Sequence, residues 1–247
     1  HFCIHFLRIP AFQHHPEKVW HEARALLQQC FSLSGWDRPE LLGLSSQLRG
    51  EQQKTLRPAA WIRGLDVAGD ENLVRIEVYA PALRWLRQAF VSQQSDRSLQ
   101  ALAGVASDRT DALKGWHFSI HAGEDYAHPL SGLRHLDETV RFCAMKKGDR
   151  LGHALALGVD AESWLERHGD ALLPVDEHVD NLVWAWHEAG ALADRLPWCA
   201  KLQRSLEKRI RRLLPYVPWL HTGCFAWENL LKQKPEPHQL QIGRAHV

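Results

Sequence analysis

The chain has 247 residues, 45% of them hydrophobic, which is enough to bury a sizeable core within one α/β domain. A formal net charge of +1 gives no bulk attraction to nucleic acid or to a membrane surface, and no apolar run approaches the roughly 20 residues of a membrane helix. The five cysteines are odd in number and scattered without a Cys-x-x-Cys pair, which excludes a disulfide framework and points to a reducing, cytoplasmic setting.

In chain order, residues 1–8 read as a strand, and Pro16 introduces a helix over 16–31 with Trp20, Ala23, Leu26 and Leu27 on one face. Residues 61–68 read as a second strand, 81–91 as a helix opening at Pro81, and the Ser/Gln/Asp-rich stretch 92–98 as a loop. A strand follows at 116–121, then a helix over 132–146 carrying Leu133, Leu136, Val140 and Cys143 at helical spacing. Arg150 to His153 is a short strand, 161–168 a short helix, and Leu172-Leu173-Pro174-Val175 a fifth strand. Long helices carrying Trp184, Trp186 and Trp198 occupy 179–214. This alternation implies parallel strands joined by crossover helices, either an open doubly wound sheet or part of a (β/α)8 barrel.

The chemistry-bearing residues gather where apolar strands end. Trp116 to Ile120 leads into His121-Ala122-Gly123-Glu124, and Leu151-Gly152 leads into His153. Upstream, Trp61 to Leu65 leads into Asp66-Val67-Ala68-Gly69-Asp70-Glu71. Imidazole to hold a metal, a carboxyl to move protons and a second imidazole to steer water make up the supply of a metal-assisted hydrolase.

These three elements, in this order, resemble the adenosine deaminase family, whose motifs read Asp-Leu-Ala-Gly-Asp-Glu, His-Ala-Gly-Glu and Arg-Ile-Gly-His. The middle motif is intact, the outer two carry one conservative change each, and the resemblance covers about residues 61–178. It implies an incomplete (β/α)8 TIM-type barrel, about strands three to seven, over 1–178, with a helical extension or insertion over 179–241. It further implies zinc (Zn2+) held by His121 and by two His and an Asp in motifs that this chain does not carry. Glu124 is then the proton donor to N1 of the purine, His153 the base that steers water, and Gly69 a backbone N–H donor to the ring. The implied activity is hydrolytic deamination of the adenine C6 amino group in a nucleoside or nucleotide. The alternatives are another aminopurine or amidohydrolase reaction, and a deaminase-like scaffold without catalysis. The family's Gly after the last His is Ala154 here, which bears on pocket shape and substrate identity.

The other polar residues read more plainly. Asp66, Asp70 and Glu71 are expected to fix a turn, Asp125 and His128 to start a helix, and Arg150 to pair near a strand end. Lys208 to Arg212 reads as a solvated helix face, and the Trp-rich C-terminal helices as core with a partner surface or homo-oligomer as the lesser reading. The chain opens within a strand and without Met, and Ile242 to Val247 reads as the translation of a sequencing adapter, so it is expected to be an internal fragment, poorly soluble and inactive alone.

Overall fold

The computed structural model describes residues 2–31, 62–102 and 116–217. The expectations for 242–247 and for Trp219 and Trp227 fall outside the described residues. Four parallel strands, β1 (Phe2–Leu7), β2 (Ile62–Ala68), β3 (His117–Ala122) and β4 (Arg150–His153), make one sheet in the order β1-β2-β3-β4. The described residues also form seven α-helices: α1 (Ala11–His14), α2 (Pro16–Phe31), α3 (Ile76–Leu102), α4 (Pro129–Phe142), α5 (Ala161–His168), α6 (Val175–Leu192) and α7 (Trp198–Leu213). The architecture is mixed α/β, as the alternation implied.

The described residues form two compact units, one of 1–124 with 136–154 and another of 125–135 with 155 onward. In the first, the strand pattern sorts residues by face. Phe6, Leu65, Val67, Phe118 and Ile120 join Val19, Ala23, Tyr79, Leu83, Leu86 and Phe90 in one core between the sheet and helices α2 and α3. Because successive side chains in a strand alternate, His5, Asp66 and His121 take the opposite face. β2 is buried along nearly its whole length, as suits a strand with a neighbour on each side.

Three element boundaries depart from expectation for identifiable reasons. Helix α3 begins at Ile76 and contains Pro81 instead of starting there. Burying Ile76, Tyr79 and Ala80 against the core outweighs the ~3 kcal/mol of an interior proline. The same helix runs through 92–98, since Gln and Arg are good helix formers, the stretch holds no Gly or Pro, and polarity does not by itself break a helix. The fifth strand is absent. Leu172 is 95% exposed and Pro174, at φ −54° and ψ 143°, serves as the N-cap of α6. The expected 132–146 helix is shifted to Pro129–Phe142, with proline in the first helical position that favours it.

That shift has a cause at its C-terminal end. Arg87 Nη2 donates to the carbonyls of Cys143 and Ala144 at 2.8 and 3.1 Å, capping the end of α4. Its Nη1 meets Asp149 Oδ2 at 2.8 Å, and its guanidinium lies 3.6 Å from the centre of the Phe118 ring. Asp149 also accepts from the backbone N–H of Phe118 and Lys146, both at 2.8 Å. Burial pushes the Asp149 carboxyl up, but these two N–H donors and Arg87 outweigh it and hold it below the usual carboxylate range. A depressed folded-state pKa contributes stability above the unfolded value of about 3.9 and loses it as pH falls through the folded value. Asp149→Asn is therefore expected to cost about 1–3 kcal/mol at pH 7 and to flatten the acid limb of stability. Urea unfolding at neutral pH and in the acid limb reads both effects.

In the second unit, α6 and α7 pack through Val179, Leu182, Leu206 and Ile210. Beside this core Arg134, 1% exposed, donates from Nε to Asn181 Oδ1 at 2.8 Å and from Nη2 to Glu177 Oε1 at 2.6 Å. Asn181 Nδ2 in turn donates to Ser131 Oγ at 2.8 Å. Helix α5 matches its expected limits because both end signals are local: the Asp160 carboxylate accepts from Ser163 N–H, and Gly169 takes φ 63°. Lys208, Arg209, Arg211 and Arg212 are exposed, as a solvated face requires. Trp198 is also exposed, whereas Trp186 packs against the α6–α7 core. Among the described residues no helix is long and apolar enough to cross a membrane.

Candidate active site

The C-terminal ends of β1 to β4 carry the candidate site, all of it within the first unit. β3 delivers His121 at its penultimate position and Glu124 two residues beyond its end, and β4 delivers His153 as its last residue. The register pairs His121 with Gly152 and Ala122 with His153. This pairing explains one glycine, since a Cβ on Gly152 would stand 2.8 Å from Cδ2 of the His121 ring. It explains the other as well, because Gly123 takes φ 72° with Leu136 Cγ only 2.6 Å from where a Cβ would be. Both motif glycines therefore make room for packing beside the functional side chains.

Three of the expected site residues come together. His153 Nε2 lies 3.3 Å from Glu124 Oε2, and the His121 and His153 rings are 5.2 Å apart between centroids. Glu124 is 22% exposed and His153 53%, so the imidazole faces outward over a more sheltered carboxyl. Gly69 is exposed beyond the end of β2, with φ 106° and its carbonyl held by Arg8 Nη1 at 2.8 Å.

Two of the supporting residues, Asp66 and Glu71, are ones for which only turn-making was expected. Asp66, whose side chain is 1% exposed, accepts at Oδ1 from the His121 backbone N–H at 3.2 Å and from His121 Nδ1 at 3.0 Å. Its Oδ2 lies 2.8 Å from that same Nδ1 and 2.7 Å from Nδ1 of His5, close contacts without hydrogen-bond alignment. Glu71 is buried and accepts the backbone N–H of Glu124 at Oε1, 3.0 Å away. Arg8, also buried, donates from Nη2 to the His121 carbonyl at 3.1 Å, so it ties the ends of β2 and β3 together. Asp70 does fix its turn, accepting the Asn72 N–H at 2.8 Å. His128 belongs to the second unit, where its ring meets Trp164 edge-on at 5.0 Å and burial lowers its pKa. His5, Asp66, Glu71 and Arg8 were missed as site residues, and their one legible signal was a polar side chain within an apolar strand or at its end.

The geometry suits His121 as a metal ligand in one respect: a carboxylate on Nδ1 fixes the ring and leaves Nε2 for a metal. Among the described residues, no group of three or more His, Cys, Asp or Glu is placed to hold a metal ion.

The turn that aims His153 is strained. Ala154 N–H closes on the Gly152 carbonyl at 2.7 Å, with His153 at φ 55° and Ala154 at φ 51°. A left-handed conformation costs a non-glycine residue about 1–2 kcal/mol, and glycine in its place adds back ~0.5–1 kcal/mol of chain entropy. Ala154→Gly is therefore expected to stabilise the unit by about 0.5–1 kcal/mol, read as a rise in urea midpoint without a change in slope.

Comparison with known proteins found no matching family model and no matching curated protein.

Proposed function

We propose that this chain supplies part of the active site of a zinc-dependent deaminase that hydrolyses the C6 amino group of an adenine nucleoside or nucleotide. The observation that carries the reading is the convergence of Glu124, His153 and His121 at the C-terminal ends of β3 and β4. A parallel sheet whose opposite face carries His5, Asp66 and His121 also favours the partial-barrel fold, in which chemistry gathers at the strands' C-terminal ends.

His121 would hold zinc through Nε2, and zinc supplies the Lewis acidity that makes hydroxide available from water at neutral pH. The roles of the chain's own groups follow from their chemistry. Glu124, as the carboxylic acid, donates its proton to N1 of the purine, which draws electron density from C6. His153 accepts a proton from the attacking water as its oxygen bonds to C6. The tetrahedral centre then collapses: the amino group takes the proton held by His153 and leaves as ammonia as the C6–N bond breaks, while the new hydroxyl gives its proton to the Glu124 carboxylate and C6=O forms. The product is the 6-oxo purine. Gly69, with no side chain, lets the ring approach its backbone N–H.

The test is ammonia release from the zinc-loaded protein carrying this chain, with adenosine, AMP and ATP supplied in parallel. Release from one or more of them ranks the substrates. No release despite bound zinc would sink the reading in favour of another aminopurine or a non-catalytic scaffold.

A further inference from the structure

His5 and Asp66 are unused by the mechanism above, yet they lie against its metal ligand. Asp66 is buried at the centre of β2, and the parallel register sets it directly beside His5 of β1. Two imidazole nitrogens, Nδ1 of His5 and Nδ1 of His121, stand 2.7 and 2.8 Å from the same carboxylate oxygen. At that distance a lone pair on the nitrogen would repel the negative carboxylate whatever the alignment, so the protonated Nδ1 is the favoured form, and His121 Nδ1 also meets Oδ1 in an aligned bond at 3.0 Å. Both rings are thereby fixed in one tautomer, with Nδ1 protonated and Nε2 left as the acceptor.

We infer that Asp66 is the positioning residue that presets His5 and His121 as a matched pair of Nδ1–H imidazoles, and that His5 is a second functional imidazole of this site. Each ring thus keeps its Nε2 lone pair as an acceptor, His121 for a metal ion and His5 for a ligand's hydrogen-bond donor. His5 is 53% exposed, so its acceptor remains open to such a ligand while its Nδ1 faces the buried carboxylate. Arg8, three residues along the same strand end, holds the His121 carbonyl at 3.1 Å and so fixes the backbone from which the second ring projects. The metal part of this inference rests on the deaminase reading, whereas the tautomer part does not.

The experiment labels the histidines of this chain with 15N and records long-range proton–nitrogen correlations at about pH 8.5, where an ordinary imidazole is neutral. The expected result is a protonated-type Nδ1 and an unprotonated-type Nε2 for both His5 and His121. In Asp66→Asn both rings shift towards the opposite tautomer, and Asp66→Glu restores the pattern in part. A wild-type spectrum with His121 protonated at Nε2 would overturn the inference without any variant. So would a pattern indifferent to Asp66→Asn. Zinc chloride is then titrated into the same sample. A metal-induced shift at His121 Nε2, weakened about 10–100-fold in Asp66→Asn, supports the metal part. Matched tautomers with no zinc-induced shift uphold the positioning role and remove the zinc reading instead.

Discussion

Glu124→Gln is expected to abolish measurable ammonia release, lowering kcat by about 10²–10⁴-fold, the usual contribution of a positioned general acid. Glutamine matches glutamate in shape and still meets His153 across the 3.3 Å that separates their side-chain atoms. It has no acidic proton to give to a ring nitrogen, so the loss falls on the chemical step. The backbone of residue 124 is held independently, by its N–H on Glu71 Oε1 at 3.0 Å, so the variant is expected to unfold at the wild-type urea midpoint. A substrate that binds as before but turns over slowly would show as a fall in kcat with little change in KM. Undiminished release from Glu124→Gln would remove Glu124 from the chemistry, whatever the substrate proves to be.

Arg134→Ala is expected to be the most damaging single change to stability, costing about 3–5 kcal/mol in the second unit. Arg134 is 1% exposed and meets Glu177 at 2.6 Å, Asn181 at 2.8 Å and His135 Nε2 at 3.2 Å. Removing the guanidinium takes a charge-assisted hydrogen bond from a mostly buried carboxylate and the donor from a buried amide oxygen. Adding Glu177→Gln to Arg134→Ala removes the buried carboxylate's charge, and the double variant is expected to recover part of the loss. Urea unfolding of the four proteins in this cycle gives the coupling directly. A loss below about 1 kcal/mol for Arg134→Ala would mean that water reaches Glu177 and that the pair behaves as a surface one.

Much of the local structure was legible because its causes are local. An apolar run of four to seven residues between polar turns is a strand wherever it packs, and all three strands that carry the motifs stand within one residue of their expected limits. The 161–168 helix was legible because Asp160 and Gly169 cap it from its own ends. The misjudged elements were those settled by distant partners. Pro81 was expected to open a helix, but the core under Tyr79 carries the helix through it. Leu172 to Val175 has a strand's composition but no neighbouring strand, and Pro174 starts a helix there instead.

The site divides along the same line. Sequence by itself determined that the candidate residues His121, Glu124, His153 and Gly69 stand at the ends of strands, because strand periodicity acts over a few residues. Only the tertiary structure decided what holds that inventory in place. Asp66 meets His121 across 55 positions of sequence, and Arg8 reaches the His121 carbonyl across 113. Parallel strands acquire their neighbours through long crossovers, so no local pattern announces which buried carboxylate will face which imidazole.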